Sequence, residues 1–261
     1  MQDIINHKDW NGGLLCCAYL GRRQELHVLL GTEYRKSSRL DERQRAEATH
    51  RRDKQTLQLV VPGGRSQSQD ASLIETIIRE FWEESARIID RQALAQCLQH
   101  RAESFDFLTS KYRLVVATQC VHETLPQAFA KKVLAKGYPN ECLLQLYWLP
   151  WRLVRDVGSA KGLLSLHHET LEPRDSRVPL SGFAASLLVR DDRVRRHLDR
   201  LAYLENASGK SVVAQQQIAE QSKDVNDSGG WFPLPRWLPW SSTTTIGDSA
   251  MLAQREQSFV R

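Results

Sequence analysis

The chain has 261 residues, with 36 Lys+Arg against 31 Asp+Glu and 41% hydrophobic residues. That length and balance suit one large domain with an appendage and exclude wholesale disorder. No run approaches the roughly 20 apolar residues that cross a bilayer, so no membrane association is expected.

The opening MQDIINHKDW mixes charges and has no apolar stretch, so it does not read as a secretory leader. Gly13–Leu20 and Glu25–Leu30 are apolar runs around a polar, Gly-containing turn, which predicts a β-hairpin. Residues 32–56 turn basic and lose apolar periodicity. They read as a charged surface insertion, partly helical around Leu40–Thr49, with its 35–54 stretch able to meet phosphate or RNA. Leu57–Val61 reads as a strand stopped by Pro62-Gly63-Gly64. After a polar loop, Leu73–Ile89 predicts a helix. Its Ile74, Ile77, Ile78, Phe81, Ile88 and Ile89 recur near a 3.6-residue period, with Asp70 or Ser72 as cap. Phe105–Leu108 and Leu114–Cys120 read as a strand pair, Pro126–Ala135 as a helix, Cys142–Trp148 as a strand and Trp151–Val157 as a short helix. Leu180–Val189 and Asp191–Leu204 read as helices. The order describes a mixed α/β or α+β domain over residues 1–205. Residues 206–261 form a polar tail, expected to be partly disordered, around a Trp/Pro segment at 231–240 that could pack back or dock a protein partner.

The five cysteines stand at 16, 17, 97, 120 and 142, with no C-x-x-C pair. A disulfide framework is not expected, and a reducing compartment is. The cytoplasm is the expected location, with nucleus and mitochondrion open. The net charge of +5 mildly favours polyanionic partners.

The chemistry concentrates in Arg79-Glu80-Phe81-Trp82-Glu83-Glu84. On a helix, with Glu80 at zero, Glu84 lies at about +40° and Glu83 at about −60°. Three carboxylates therefore share one polar arc and repel one another. A hard divalent cation, Mg²⁺ or Mn²⁺, relieves that repulsion and leaves positions for phosphate oxygens.

The set resembles the Nudix hydrolase family, whose signature is G-x5-E-x7-R-E-U-x-E-E-x-G-U, with U a bulky aliphatic residue. Arg79 to Glu84 match R-E-U-x-E-E with Phe81 at U, and Gly64 matches the opening glycine. The Gly64-to-Arg79 spacing is one residue longer than the signature. Asp70 is the acid nearest the first Glu, and Ser85-Ala86 stands at x-Gly, which predicts a helix running on towards Asp90. The resemblance implies an α/β/α sandwich with a mixed sheet. It implies a pyrophosphohydrolase cleaving nucleoside diphosphate-X compounds, capped RNA among the candidates, with Mg²⁺ or Mn²⁺ as cofactor. It makes Glu80, Glu83 and Glu84 metal ligands and Arg79 the arginine that orients a box glutamate. Gly63 and Gly64 become the turn beside the metal. The resemblance leaves the general base to a glutamate of the box or one on a later loop, with Glu141 preferred here and Glu123 the other candidate. Nudix-like binding without much catalysis is the alternative. His167-His168-Glu169, and Tyr19, Trp148 and Trp151 as stacking residues, are weaker candidates.

Overall fold

A computed structural model describes residues 9–203 apart from 37–39, 49, 53, 138–142, 170 and 172–173. The tail, its Trp/Pro segment and Glu141 lie outside the described residues.

Strands β1 (Asn11–Leu20) and β2 (Glu25–Lys36) form the expected antiparallel hairpin, pairing Cys17 with Val28 and Leu20 with Glu25. β1 is buried on both sides. Leu14 and Cys16 enter one core and Leu15 and Cys17 the other, which is why its sequence is a continuous apolar run. Around the hairpin lie β3 (Arg51–Arg52), β4 (Gln55–Val60), β5 (Gly63–Arg65), β6 (Ala102–Phe107), β7 (Tyr112–Thr118) and β8 (Gln145–Pro150). They make an eight-stranded sheet of order β3-β4-β2-β1-β7-β6, with β5 on β1 and β8 on β2. β1 and β7 run parallel, and the other pairs are antiparallel. The sheet is mixed, as expected.

Helices cover both faces. On one lie α2 (Leu73–Glu84), α3 (Arg91–Arg101) and α4 (Leu125–Lys136), sharing a core with Leu14, Cys16 and Leu29. On the other lie α5 (Trp151–Ser159), α6 (Gly182–Ala185) and the helical residues 192–203, packed on Leu15, Val28 and Leu30. This is an α+β sandwich with one core per sheet face.

The stretch 32–56 is not simply an insertion. Residues 32–36 continue β2, Glu42–Glu47 form helix α1, and β3 and β4 pair back. Thr32, Thr56 and Gln58 are buried in these strands, and polar residues at buried positions give no apolar periodicity to read. Asp41 caps α1, accepting from the Gln44 N–H at 2.8 Å. Helix α3 goes unread in the sequence because only Leu94 and Leu98 are buried along it. The hairpin β9 (Leu163–His167) with β10 (Asp175–Pro179) is likewise unread.

Helix α2 does not run on towards Asp90. It ends at Glu84, and Ala86 (φ 56°) and Arg87 (φ 58°) turn left-handed. The Arg87 N–H bonds the Trp82 carbonyl at 2.8 Å, closing the helix as a glycine would. The Ala86 side chain is wholly buried, so packing offsets the steric cost of a Cβ in this conformation.

The structure also corrects the expectation for the cysteines. α3 lies against β7, and Cys97 and Cys120 form a disulfide with their Cα atoms 5.5 Å apart. Cys16 and Cys17 are buried free thiols. Spacing along the chain does not show which cysteines a fold brings together. Reduction is expected to remove about 3 kcal/mol of stability, the loop-closure value for a loop of this size. The check is a lower urea midpoint in reductant, with thiol titration in denaturant rising by two for the Cys97–Cys120 bridge.

Candidate functional site

The site is built on α2 and the β5 turn below it. Ser72 caps the helix, its hydroxyl accepting from the Glu75 N–H at 3.2 Å. Leu73, Ile77, Ile78 and Phe81 anchor its apolar side in the core, which turns Glu80, Glu83 and Glu84 towards the loop 62–70.

Arg79 is the hub. It is buried, and its Nε and Nη2 donate to the two Asp70 oxygens at 3.0 Å each. Its Nη1 donates to Glu80 Oε1 and to Glu83 Oε2 at 3.0 Å, and Nη2 also donates to the Arg65 carbonyl at 2.9 Å. The Gln67 N–H and the Thr76 hydroxyl complete the Asp70 shell, each donating at 2.9 Å. These bonds from Arg79 hold the Asp70 carboxyl down at about 2. Asp70 thus buttresses the arginine despite the longer loop, a role its spacing does not announce.

Glu84 is fixed separately. Its Oε2 accepts from the Gly63 N–H at 2.6 Å. Burial pushes its pKa well up, opposed by that bond, with the Glu33 and Glu80 charges adding to the rise and Arg35 working against it. Burial also raises Glu80, against the pull of Arg79. Glu33 and Arg35, an ion pair on β2, are therefore electrostatic neighbours of the box that sequence reasoning places in an insertion. Tyr112 is another residue it misses. It is buried, its pKa is raised by burial and by Glu84, and its hydroxyl fills the space a side chain at Gly13 would take.

Gly63 is required by space, and Gly64 lies close against a side chain. Gly63 has φ 153°, and a Cβ there would lie 2.3 Å from the Gly12 carbonyl oxygen. A Cβ on Gly64 would lie 2.3 Å from the Glu80 carboxylate. The bare Gly64 backbone makes room for the Glu80 carboxylate to pack against it.

The fit to a divalent cation rests on donor chemistry and charge. Asp70, Glu80 and Glu83 gather around one guanidinium, Glu84 stands close to Glu80, and each acid offers hard oxygens. Among the described residues no three His, Cys, Asp or Glu side chains already converge as a ligand set. Glu80 and Glu83 each lend one oxygen to Arg79.

The other candidates separate from this centre. Glu123 is exposed, and its carbonyl accepts from the Trp148 indole at 3.0 Å. Leu143, two residues beyond Glu141, donates its N–H to the Glu84 carbonyl at 3.2 Å. The Trp151 indole donates to Asp199 at 2.8 Å and the Tyr19 hydroxyl to the Leu201 carbonyl at 3.3 Å, so both serve packing. His167 is exposed and bonds Asp175 at 2.9 Å.

His168 is fully buried between the hydroxyls of Tyr147 and Ser176, edge-on to His50. Burial, then the neighbouring His50 and His167, depress it from 6.5 to about 4. The unfolded chain gains this proton near pH 6.5 and the folded chain only near pH 4. Stability is therefore complete above the upper value and falls as the pH drops through that window, by about 3 kcal/mol at most. Urea midpoints between these limits should fall with pH, and less steeply in His168→Gln.

No protein-family model and no curated protein matches the sequence. Among solved structures the chain is similar to a MutT/nudix family protein from Enterococcus faecalis, at 14% identity over 54% of this chain and 42% of that one, TM-score 0.28. It is similar to the protein of a T. brucei MERS1–RNA complex, at 14% identity over 59% and 55%, TM-score 0.33. It is similar to a mutT/nudix family protein from Listeria innocua, at 16% identity over 57% and 82%, TM-score 0.32. Two of the three are MutT/Nudix proteins. The chain spans about half or less of the first two. Likeness at this identity concerns the fold and carries nothing about activity. Among the described residues no helix is long and apolar enough to cross a membrane.

Proposed function

We propose that the protein is a Mg²⁺- or Mn²⁺-dependent Nudix-type pyrophosphohydrolase acting on a nucleoside diphosphate-X compound, with capped RNA among the substrates to test. One observation carries this reading: Asp70, Glu80 and Glu83 crowd a single guanidinium, with the buried Glu84 close to Glu80, at a helix whose sequence matches R-E-U-x-E-E. The excess negative charge, part of it buried, is what a divalent cation offsets.

Glu80, Glu83 and Glu84 would hold the cation. When bound, it neutralises the diphosphate and lowers the pKa of a water. Arg79, locked by Asp70, positions Glu80 and Glu83, while the Gly63 N–H orients Glu84. The Gly63-Gly64 turn lets the diphosphate approach without a side chain in the way. Glu141 is assigned the general base, taking the proton of the attacking water, with Glu123 as the second candidate.

The test is the purified chain with Mg²⁺ or Mn²⁺ against a panel of diphosphate compounds, including ADP-ribose and capped RNA. Glu83→Gln and Glu84→Gln should drop to background. Mn²⁺ should also raise the melting temperature of the wild type and much less that of the variants. Equal turnover in all three proteins overturns the site.

A second reading, a Nudix-like binding module with little catalysis, is favoured by one observation. Arg79 already takes an oxygen from both Glu80 and Glu83. A module of this kind would show neither turnover nor a Mn²⁺ shift. The Trp/Pro segment 231–240 is proposed as a protein-docking motif. Deleting residues 206–261 should then abolish partner capture and spare hydrolysis.

A further inference from the structure

We propose that the surface running from the C-terminal end of α2 onto α3 and α4 binds single-stranded nucleic acid. Trp82 lies in the last turn of α2. The Arg87 guanidinium sits 4.9 Å from its ring centroid and that of Arg91 5.4 Å. Lys132 of α4 reaches the same corner, donating its Nζ to the Arg87 carbonyl at 3.3 Å. Arg87 and Arg91 are exposed, and among the described residues no carboxylate pairs with either of them or with Lys132. Other surface arginines of the chain do pair, Arg113 with Asp106, Arg193 with Asp191 and Arg195 with Asp192. The nearby acid, Asp90, spends an oxygen on the Gln92 and Ala93 N–H groups that open α3.

Two guanidiniums thus stand over one indole with a third cation, Lys132, at the Arg87 carbonyl beside them, and among the described residues none has an acidic partner. A phosphate chain relieves their repulsion. The indole and guanidinium planes add what a phosphate-only ligand would not use: flat surfaces on which unstacked bases lie. That combination selects a single strand over an acidic lipid surface or a duplex whose bases are already stacked. The left-handed turn at Ala86 and Arg87 places this corner directly after Glu83 and Glu84. A strand lying on it would lead a 5′ phosphate towards the box. That last step rests on the proposed hydrolase reading, and strand binding itself does not.

The experiment uses the full chain and a fluorescently labelled ten-nucleotide single-stranded RNA, read by anisotropy in EDTA across a salt series. The wild type is expected to bind at low salt, weakening as salt rises. The Arg91→Glu/Lys132→Glu pair should bind about tenfold more weakly, with the salt slope reduced by about 1 to 2. Its melting temperature should match the wild type. If the pair does not fold, Arg91→Gln alone should weaken binding about threefold. Absence of wild-type binding at about 100 µM protein overturns the proposal. So does variant binding equal to wild type, or tighter binding to phosphatidylserine vesicles than to RNA. Failure of every diphosphate in the panel would end the hydrolase reading and leave this one standing.

Discussion

Replacing Arg79 with alanine is expected to remove about 3–5 kcal/mol of folding stability, the cost of breaking a buried pair by deleting one partner. The Arg79 side chain is 7% exposed and that of Asp70 5%. Without the guanidinium, Asp70 stays buried with no counter-charge, and Glu80 and Glu83 lose their shared donor. Lysine at this position should recover only part of the loss, because an ammonium cannot fork onto both Asp70 oxygens and still reach two glutamates. The pH dependence gives a second reading. Asp70 is held at about 2 against an ordinary 3.8, so its contribution is complete above the upper value and disappears as the pH falls towards the lower. Denaturant melts of wild type and variant should converge over that acid limb. In the Arg79→Ala background, Asp70→Asn should cost little or nothing, the signature of a coupled pair. A loss below about 1 kcal/mol for Arg79→Ala would mean the hub is not a unit.

Gly63→Ala is the second large effect. The added methyl would meet the Gly12 carbonyl oxygen at 2.3 Å and the Gly13 Cα at 2.5 Å, both backbone atoms of the central strand β1. At φ 153° the residue also occupies a region that side chains avoid. Strain and overpacking together predict a loss of about 4 kcal/mol or more. Moving Gly63 shifts the N–H that holds Glu84 at 2.6 Å, so any surviving folded protein should lose its Mn²⁺-induced stabilisation. Gly64→Ala serves as the contrast. Its methyl would meet a carboxylate at the end of a side chain, which can turn aside, so stability should fall less while the Mn²⁺ response still weakens. Calorimetry with and without Mn²⁺ separates the two.

Much of the fold can be read along the chain. Helix α2 and the helix over 192–203 carry a helical apolar period, while the β1–β2 hairpin and the strand before Pro62 are short apolar runs bounded by turn residues. Helix α3 and the β9–β10 hairpin do not, because half-exposed polar elements take their stability from the surface they cover. The end of α2 misleads for a related reason. An alanine in the glycine position looks like continued helix, yet the buried left-handed turn at Ala86 is set by packing around it.

Within the site, a helical period was enough to put Glu80, Glu83 and Glu84 on one arc, since 3.6 residues per turn is a property of the backbone itself. The partners of those acids were not available in that way. That Asp70 forks onto Arg79, that Gly63 donates to Glu84, that Arg35 and Tyr112 stand beside the box and that Cys97 meets Cys120 are all contacts between segments distant in the chain. Local propensity acts over a few residues, whereas a long-range contact depends on where the sheet carries each strand, and only the packed structure decides that.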